Sequence, residues 1–259
     1  MIKLIATDLD GTFLRSDKTF DKDIFAVIEK LEKNGVYFAA SSARQPLSVE
    51  RIFLPVKEKI IIICENGANV RFKDKSFTEK MERETVEHIC REAQKNGFDF
   101  FISGVNKSYT NNPVLCKAMI TRFGFLCDTA ETVQAIDDDF LKVSITDPKV
   151  KIRRDFSPFD IMFENKCSVT LSGINCLDFV KKGVSKGCAL EKIRKELGIS
   201  FDETAAFGDD FNDETMLLQA RYSYAMGNAD EKLKKKAAFV IGNNDSDAVI
   251  KEIKRLCDI

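Results

Sequence analysis

Two aspartates set two positions apart, Asp8 and Asp10, close a short apolar run (Lys3 to Thr7) and lead directly into Gly11-Thr12. In an extended chain, residues i and i+2 project to one side, so both carboxylates face the same way where the run ends. Gly11 lets the backbone turn tightly beside a bound anion. A second acidic stretch lies far downstream, Gly208-Asp209-Asp210-Phe211-Asn212-Asp213, again after a short strand-like run. Ser41-Ser42-Ala43-Arg44 and Glu65-Asn66-Gly67-Ala68 end two further runs of that kind. Clustered carboxylates with hydroxyl and Lys groups describe a hard-cation site for a phosphate ester, and oxygen-only ligation favours Mg²⁺ over zinc or copper. The chain has one histidine, His88, which disfavours His-based triads and multi-His metal centres. Carboxylates and lysine must then carry the chemistry, and His88, on an amphipathic helix, reads as structural.

These groups need a scaffold that brings strand ends together. Ile24, Val27, Ile28 and Leu31 recur at helical spacing within Asp21 to Lys33, and Asn34-Gly35 stops that helix before the strand-like Val36 to Ala40. A helix over Leu47 to Phe53 and the β-branched run Ile60 to Cys64 follow. The alternation returns late: helix Gly187 to Leu197, strand Thr204 to Phe207, helix Asn212 to Gln219, strand Tyr222 to Ala225, helix Glu231 to Lys236, strand Phe239 to Ile241 and helix Asp245 to Leu256. Such alternation predicts an α/β fold with a doubly wound parallel sheet, in which ligands bind beyond the carboxyl ends of the strands. Between about Lys80 and Gly183 the texture changes. A helix at Glu82 to Asn96, another near Val114 to Phe123, and strands at Asp99 to Ser103, Leu141 to Thr146, Cys167 to Leu171 and Leu177 to Val180 predict an inserted, mainly antiparallel α+β domain. The expected division is residues 1–80 with 184–259 as the core and 81–183 as the insert.

Composition narrows the partners. Forty Lys and Arg against 41 Asp and Glu give a net charge of −1, which provides no field to draw the protein to nucleic acid or an anionic membrane. The cluster Lys232 to Lys236 reads as a solvated helix face. Eight scattered cysteines without a CxxC pair point to reduced thiols in a cytoplasmic setting. No apolar run approaches the roughly 18 residues of a membrane helix, and the opening residues do not resemble a signal peptide. The expected partner is a small phosphorylated metabolite, with no obligate protein partner evident.

Taken in order, DLDGT (8–12), SSAR (41–44), Lys186 in VSKGCAL and GDDFND (208–213) resemble the four motifs of the haloacid dehalogenase-like phosphohydrolases, Cof-type sugar-phosphatase group. ENGA (65–68) and AMGNA (225–229) are similar to that group's pattern too. The resemblance implies a Rossmann-like core with an α/β cap that sets substrate specificity. It also implies an aspartyl-phosphate mechanism with Asp8, Asp10 and Lys186 as catalytic residues. Asp8 is then the nucleophile, and Asp10 protonates the leaving oxygen and later deprotonates water. That second role requires neighbouring negative charge, from Asp8 and the phosphate, to raise the Asp10 pKa above its usual range near ~3.9. Mg²⁺ would be held by Asp8, Asp209 and the backbone carbonyl of Asp10, with Asp213 supporting the ion through water or orienting Lys186. Leu9, Ser42, Ala43, Lys186 and Asn212 would contact the phosphate or substrate. Ala43 stands where the family usually has Gly, adding a Cβ near the expected phosphate. Two other functions fit the same residues: a phosphomutase, which returns the phosphoryl group to an intermediate, and a non-catalytic phosphometabolite-binding protein.

Overall fold

The computed structural model describes residues 1–146, 158–172 and 176–259. The chain opens with β1 (Leu4–Asp8), α1 (Ile24–Lys33), β2 (Tyr37–Ser41), α2 (Pro46–Ile52), β3 (Ile60–Cys64), β4 (Asn69–Phe72) and β5 (Lys75–Thr78). There follow α3 (Arg83–Lys95), β6 (Asp99–Gly104), β7 (Ser108–Thr110), α4 (Pro113–Phe123), β8 (Cys127–Thr129), β9 (Phe140–Thr146), α5 (Pro158–Phe163), β10 (Cys167–Ser172) and β11 (Cys176–Lys181). The last stretch holds α6 (Lys186–Leu197), β12 (Thr204–Gly208), α7 (Glu214–Leu217), β13 (Tyr222–Ala225), α8 (Glu231–Lys234), β14 (Phe239–Val240) and α9 (Ala248–Cys257).

Two compact units result, one made of Met1–Phe77 with Ser185–Ile259, the other of Thr78–Val184. The first is built on an eight-stranded sheet of order β14-β13-β12-β1-β2-β3-β4-β5. From β14 to β3 the neighbours are parallel, and β4 turns back antiparallel on β3. A parallel strand covered on both faces must be apolar throughout, and β1 and β3 are buried at every position. Each buried Ile or Leu side chain there contributes roughly 1.5–3 kcal/mol of transfer free energy. The apolar stripe of α1, Ile24, Val27, Ile28 and Leu31, is buried in the same core. Because β1 lies between β2 and β12, the ends of all three strands come to one edge, although β12 is nearly 200 residues away in sequence. Thr7 pairs with Phe207 and Asp8 with Ser41.

The second unit has a six-stranded sheet, order β10-β11-β9-β6-β7-β8, antiparallel except for the parallel pair β7 and β8. One face packs on α3 and α5 around Val86, Ile89, Phe100, Phe140, Phe163 and Phe179. Phe100 belongs to that core. His88 lies edge-on to the Phe163 ring at 4.9 Å, so its contact is aromatic packing. All eight cysteines are free thiols. Among the described residues no helix is long and apolar enough to cross a membrane.

Candidate active site

The residues at the carboxyl ends of β1, β2, β3 and β12, with the start of α6, converge within the first unit. Asp8, the last residue of β1, is 5% exposed, Lys186 is 1% exposed and Asp213 is fully buried. The Lys186 ammonium donates to Asp8 Oδ1 and to Asp213 Oδ1, both at 2.6 Å. Asp213 Oδ2 accepts the backbone N–H groups of Asp209 and Asp210 at 3.0 and 3.1 Å. Asp213 thereby holds Lys186 in place with one oxygen and the turn after β12 with the other. Asp209 Oδ1 accepts a hydrogen bond from the Thr12 hydroxyl at 2.7 Å. Carboxylate oxygens of Asp8, Asp209 and Asp213 all lie within 4.8 Å of one another.

Three carboxylates against one ammonium, with Asp8, Asp213 and Lys186 buried and Asp209 partly so, leave an excess of negative charge that burial penalises. Burial first, then Asp213, pushes the Asp8 pKa up to about 7, against the pull of Lys186. Burial, Asp8 and Asp213 together push Asp209 up to about 9. Burial would lower Lys186, but Asp213 and Asp8 outweigh it and hold the ammonium above its usual range. An all-oxygen donor set with uncompensated charge fits a hard divalent cation. Asp8, Asp209 and Asp213 together offer the oxygens that could hold it, those of Asp213 also accepting hydrogen bonds.

Asp10 departs from the expectation. Burial alone would raise its pKa, yet the net shift is downward. The cause is a two-point clamp from Arg44, Nε to Oδ2 at 2.6 Å and NH2 to Oδ1 at 2.7 Å, with Lys18 Nζ on Oδ1 at 2.8 Å. The expected upward shift from Asp8 is overridden by two cations that stabilise the charged form.

Two glycines explain why the backbone can bring these groups so close. Gly11 has φ +92°, and a Cβ there would fall 2.3 Å from Asp209 Oδ2. Gly67 has φ +98°, and its Cβ would meet the Ser185 carbonyl oxygen at 2.2 Å. Ser185 is the N-cap of α6, its hydroxyl accepting from the Cys188 N–H at 3.1 Å, so Gly67 lets the turn after β3 press against the helix that begins with Lys186. In that turn Asn66 is left-handed (φ 55°), and its Oδ1 accepts from Asn212 Nδ2 at 3.1 Å.

A profile of haloacid dehalogenase-like hydrolases matches residues 5–253. The chain belongs to that family. It is 27% identical to the 5-amino-6-(5-phospho-D-ribitylamino)uracil phosphatase of Escherichia coli, covering 98% of this chain and 96% of that protein. A solved Streptococcus mutans protein, 27% identical, superposes with a TM-score of 0.89 over the whole of both chains. A haloacid dehalogenase subclass IIB sugar phosphatase shares the fold at TM-score 0.84, with 20% identity over 99% of this chain and all of that one.

In this haloacid dehalogenase-like scaffold, the remaining sequence-predicted positions fall as follows. Ser42 is 2% exposed, and its Oγ accepts from the Arg44 N–H at 3.2 Å, which orients the hydroxyl and leaves its own hydrogen to donate. Ala43 follows it at the end of β2, half-buried. The Leu9 side chain is wholly buried in the hydrophobic core, so only its backbone could meet an anion. Asn212 is tied to Asn66 rather than to the acidic cluster. Sequence reasoning passed over Thr12, Lys18 and Arg44 as partners. It also gave no role to Asn228, whose side chain donates to the Gly11 carbonyl at 2.8 Å and holds the first turn closed. The signal for Arg44 was its place as the last residue of the second motif; for Asn228, its place within AMGNA.

Proposed function

We propose that this chain is a Mg²⁺-dependent phosphohydrolase that releases inorganic phosphate from small phosphorylated metabolites through an aspartyl-phosphate on Asp8. The observation that carries the reading is the Lys186 ammonium held between Asp8 and Asp213 beside Asp209, a buried acidic cluster short of positive charge at a strand end. A bound cation, held by Asp8 and Asp209, supplies charge neutralisation for the phosphoryl oxygens. Asp8 attacks phosphorus, forming the acyl phosphate as the bond to the ester oxygen breaks. Lys186 steadies the Asp8 carboxylate and offsets phosphoryl charge, and the Ser42 hydroxyl donates to a phosphoryl oxygen. Asp10 gives a proton to the leaving alkoxide and then takes one from the water that cleaves the acyl phosphate. For the first of these it must carry a proton that its two cations now disfavour, so the added negative charge of the ester has to supply the upward shift. Asp213 orients Lys186 and the 209–210 backbone. The inserted unit sets which ester is accepted. Small, polyol-like phosphate esters are supported by the likeness to the Escherichia coli phosphatase, whose named substrate carries a phosphorylated ribityl chain.

A panel of phosphorylated metabolites tests the proposal by phosphate release with Mg²⁺ and with chelator. Asp8→Asn should abolish release while the circular dichroism spectrum stays unchanged. Full activity in that variant would sink the covalent route, and isomerised sugar phosphate without phosphate release would favour a mutase.

A further inference from the structure

The clamp on Asp10 is assembled from two cations, Arg44 and Lys18. Arg44 is 9% exposed, follows the Ser42-Ala43 turn, and spends its Nε and one terminal nitrogen on the two Asp10 oxygens. Its other terminal nitrogen lies 3.4 Å from the Ser48 hydroxyl on α2, and its backbone N–H is held by Ser42 Oγ. Ser42 thus anchors the Arg44 backbone and Ser48 meets the guanidinium beside the carboxylate, and a planar fork defines the direction of a carboxylate in a way a point charge cannot. Lys18 reaches the same carboxylate from a tight turn in which the Thr19 N–H and hydroxyl both donate to Asp17 Oδ1 and the Lys18 N–H donates to the Arg15 carbonyl. Two separate segments thus converge on Asp10, 34 and eight residues away from it in sequence.

We propose that Arg44 is a positioning residue for Asp10: its guanidinium fork, assisted by Lys18, fixes where the Asp10 carboxyl group points and so sets the efficiency of the proton transfers at the ester oxygen and at water. The inference rests on the proposed role of Asp10. It distinguishes Arg44 from Lys186 and Ser42, which are assigned to the phosphoryl group itself. A residue acting through Asp10 changes a transition-state interaction and not ground-state affinity, so its loss should appear in kcat with little change in KM.

A double-mutant cycle on the intact enzyme, with glycerol phosphate as substrate, is the test. Arg44→Met should lower kcat about tenfold or more, in line with the cost of misplacing a catalytic group. KM should change by less than about twofold. In an Asp10→Asn background the same substitution should cost less than about twofold, because the group it positions is already gone. Arg44→Lys, which keeps the charge without the fork, should recover only part of the loss. Equal losses in both backgrounds, or undiminished kcat in Arg44→Met, overturn the proposal. Should Arg44→Met fail to fold, Lys18→Met, at a side chain that is 39% exposed, carries the same cycle with a smaller expected loss. A second readout needs no turnover. The Arg44 Nε–H resonance in ¹⁵N-labelled protein should be protected from solvent exchange, and the protection should vanish in Asp10→Ala. Absence of protection in the unmodified protein overturns the clamp. If the protein hydrolyses no phosphate ester yet shows the protected resonance, the clamp stands as geometry, while the assigned function and the positioning role that rests on it both fall.

Discussion

Lys186 holds Asp8 and Asp213 at 2.6 Å each with no exposed side-chain surface of its own. Replacing it by Met would leave two carboxylates facing each other without compensation, and loss of one partner from a buried charge group costs about 3–5 kcal/mol. Urea unfolding of Lys186→Met in chelator should show a loss of that order, and a change under about 1 kcal/mol would contradict the charge balance described here. The pH dependence follows from the same residues. Asp8 and Asp209 titrate in the folded protein near 7 and 9, far above the usual carboxylate range. A carboxyl whose folded pKa is raised stabilises the fold in its protonated form, and that stability is lost as pH rises through the folded value. In chelator the melting temperature should therefore fall from about pH 4, where the unfolded carboxyls ionise, up to about pH 9, and Mg²⁺ should restore it, most strongly at the alkaline end. A melting temperature that is flat across that window, with or without Mg²⁺, counts against the site. The acidic residues and Lys186 were legible in the sequence because each stands at a strand end or helix start inside a spaced motif. The sign of the Asp10 shift was not, because it depends on Lys18 and Arg44, whose side chains reach Asp10 only through the tertiary fold.

Among the elements, α6 carries the heaviest positional demand, since its first residue is Lys186. Its start is set by the Ser185 cap and by the close approach of Gly67. Ser185→Ala should cost about 1 kcal/mol, the usual loss of an N-cap hydroxyl, with most of the activity kept. Gly67→Ala should be worse on both counts, because the residue has φ +98° and the new methyl would strike the Ser185 carbonyl. Thermal melts paired with kcat separate the two: a Gly67→Ala enzyme with unaltered kcat would show that the turn does not set the position of Lys186. Strands within the strand–helix alternation were readable in advance; β3 and β13 run over the expected residues, Ile60–Cys64 and Tyr222–Ala225. The short polar ones were not. β7 and β8 have three residues each, and β4 and β5 are four-residue strands with few apolar side chains, close together in sequence. The helix expected over Asn212 to Gln219 is a 3₁₀ turn at Phe211–Asp213 followed by the short α7, because Asp210 and Asp213 spend their side chains capping the turn.

At the scale of the whole molecule, the hydrophobic core of the first unit draws on residues from Ile2 to Val70 and Ala189 to Ile253, while that of the second is confined to Met81 through Phe179. Cores that share no residue need not melt together. Scanning calorimetry should give a calorimetric enthalpy larger than the van't Hoff enthalpy, and Mg²⁺ should move the transition of the unit that contains Asp8 and Asp209. A single two-state transition would show that the units are energetically one. The sheet order carries a further consequence. β1, made first, is completed on one side only by β12, and Thr12 waits for Asp209, 197 residues later. At a synthesis rate of roughly 5–20 residues per second, that interval is about 10–40 s. Throughout it the nascent chain exposes an apolar strand with one unpaired edge. That edge is open to chaperone capture until β12 is made.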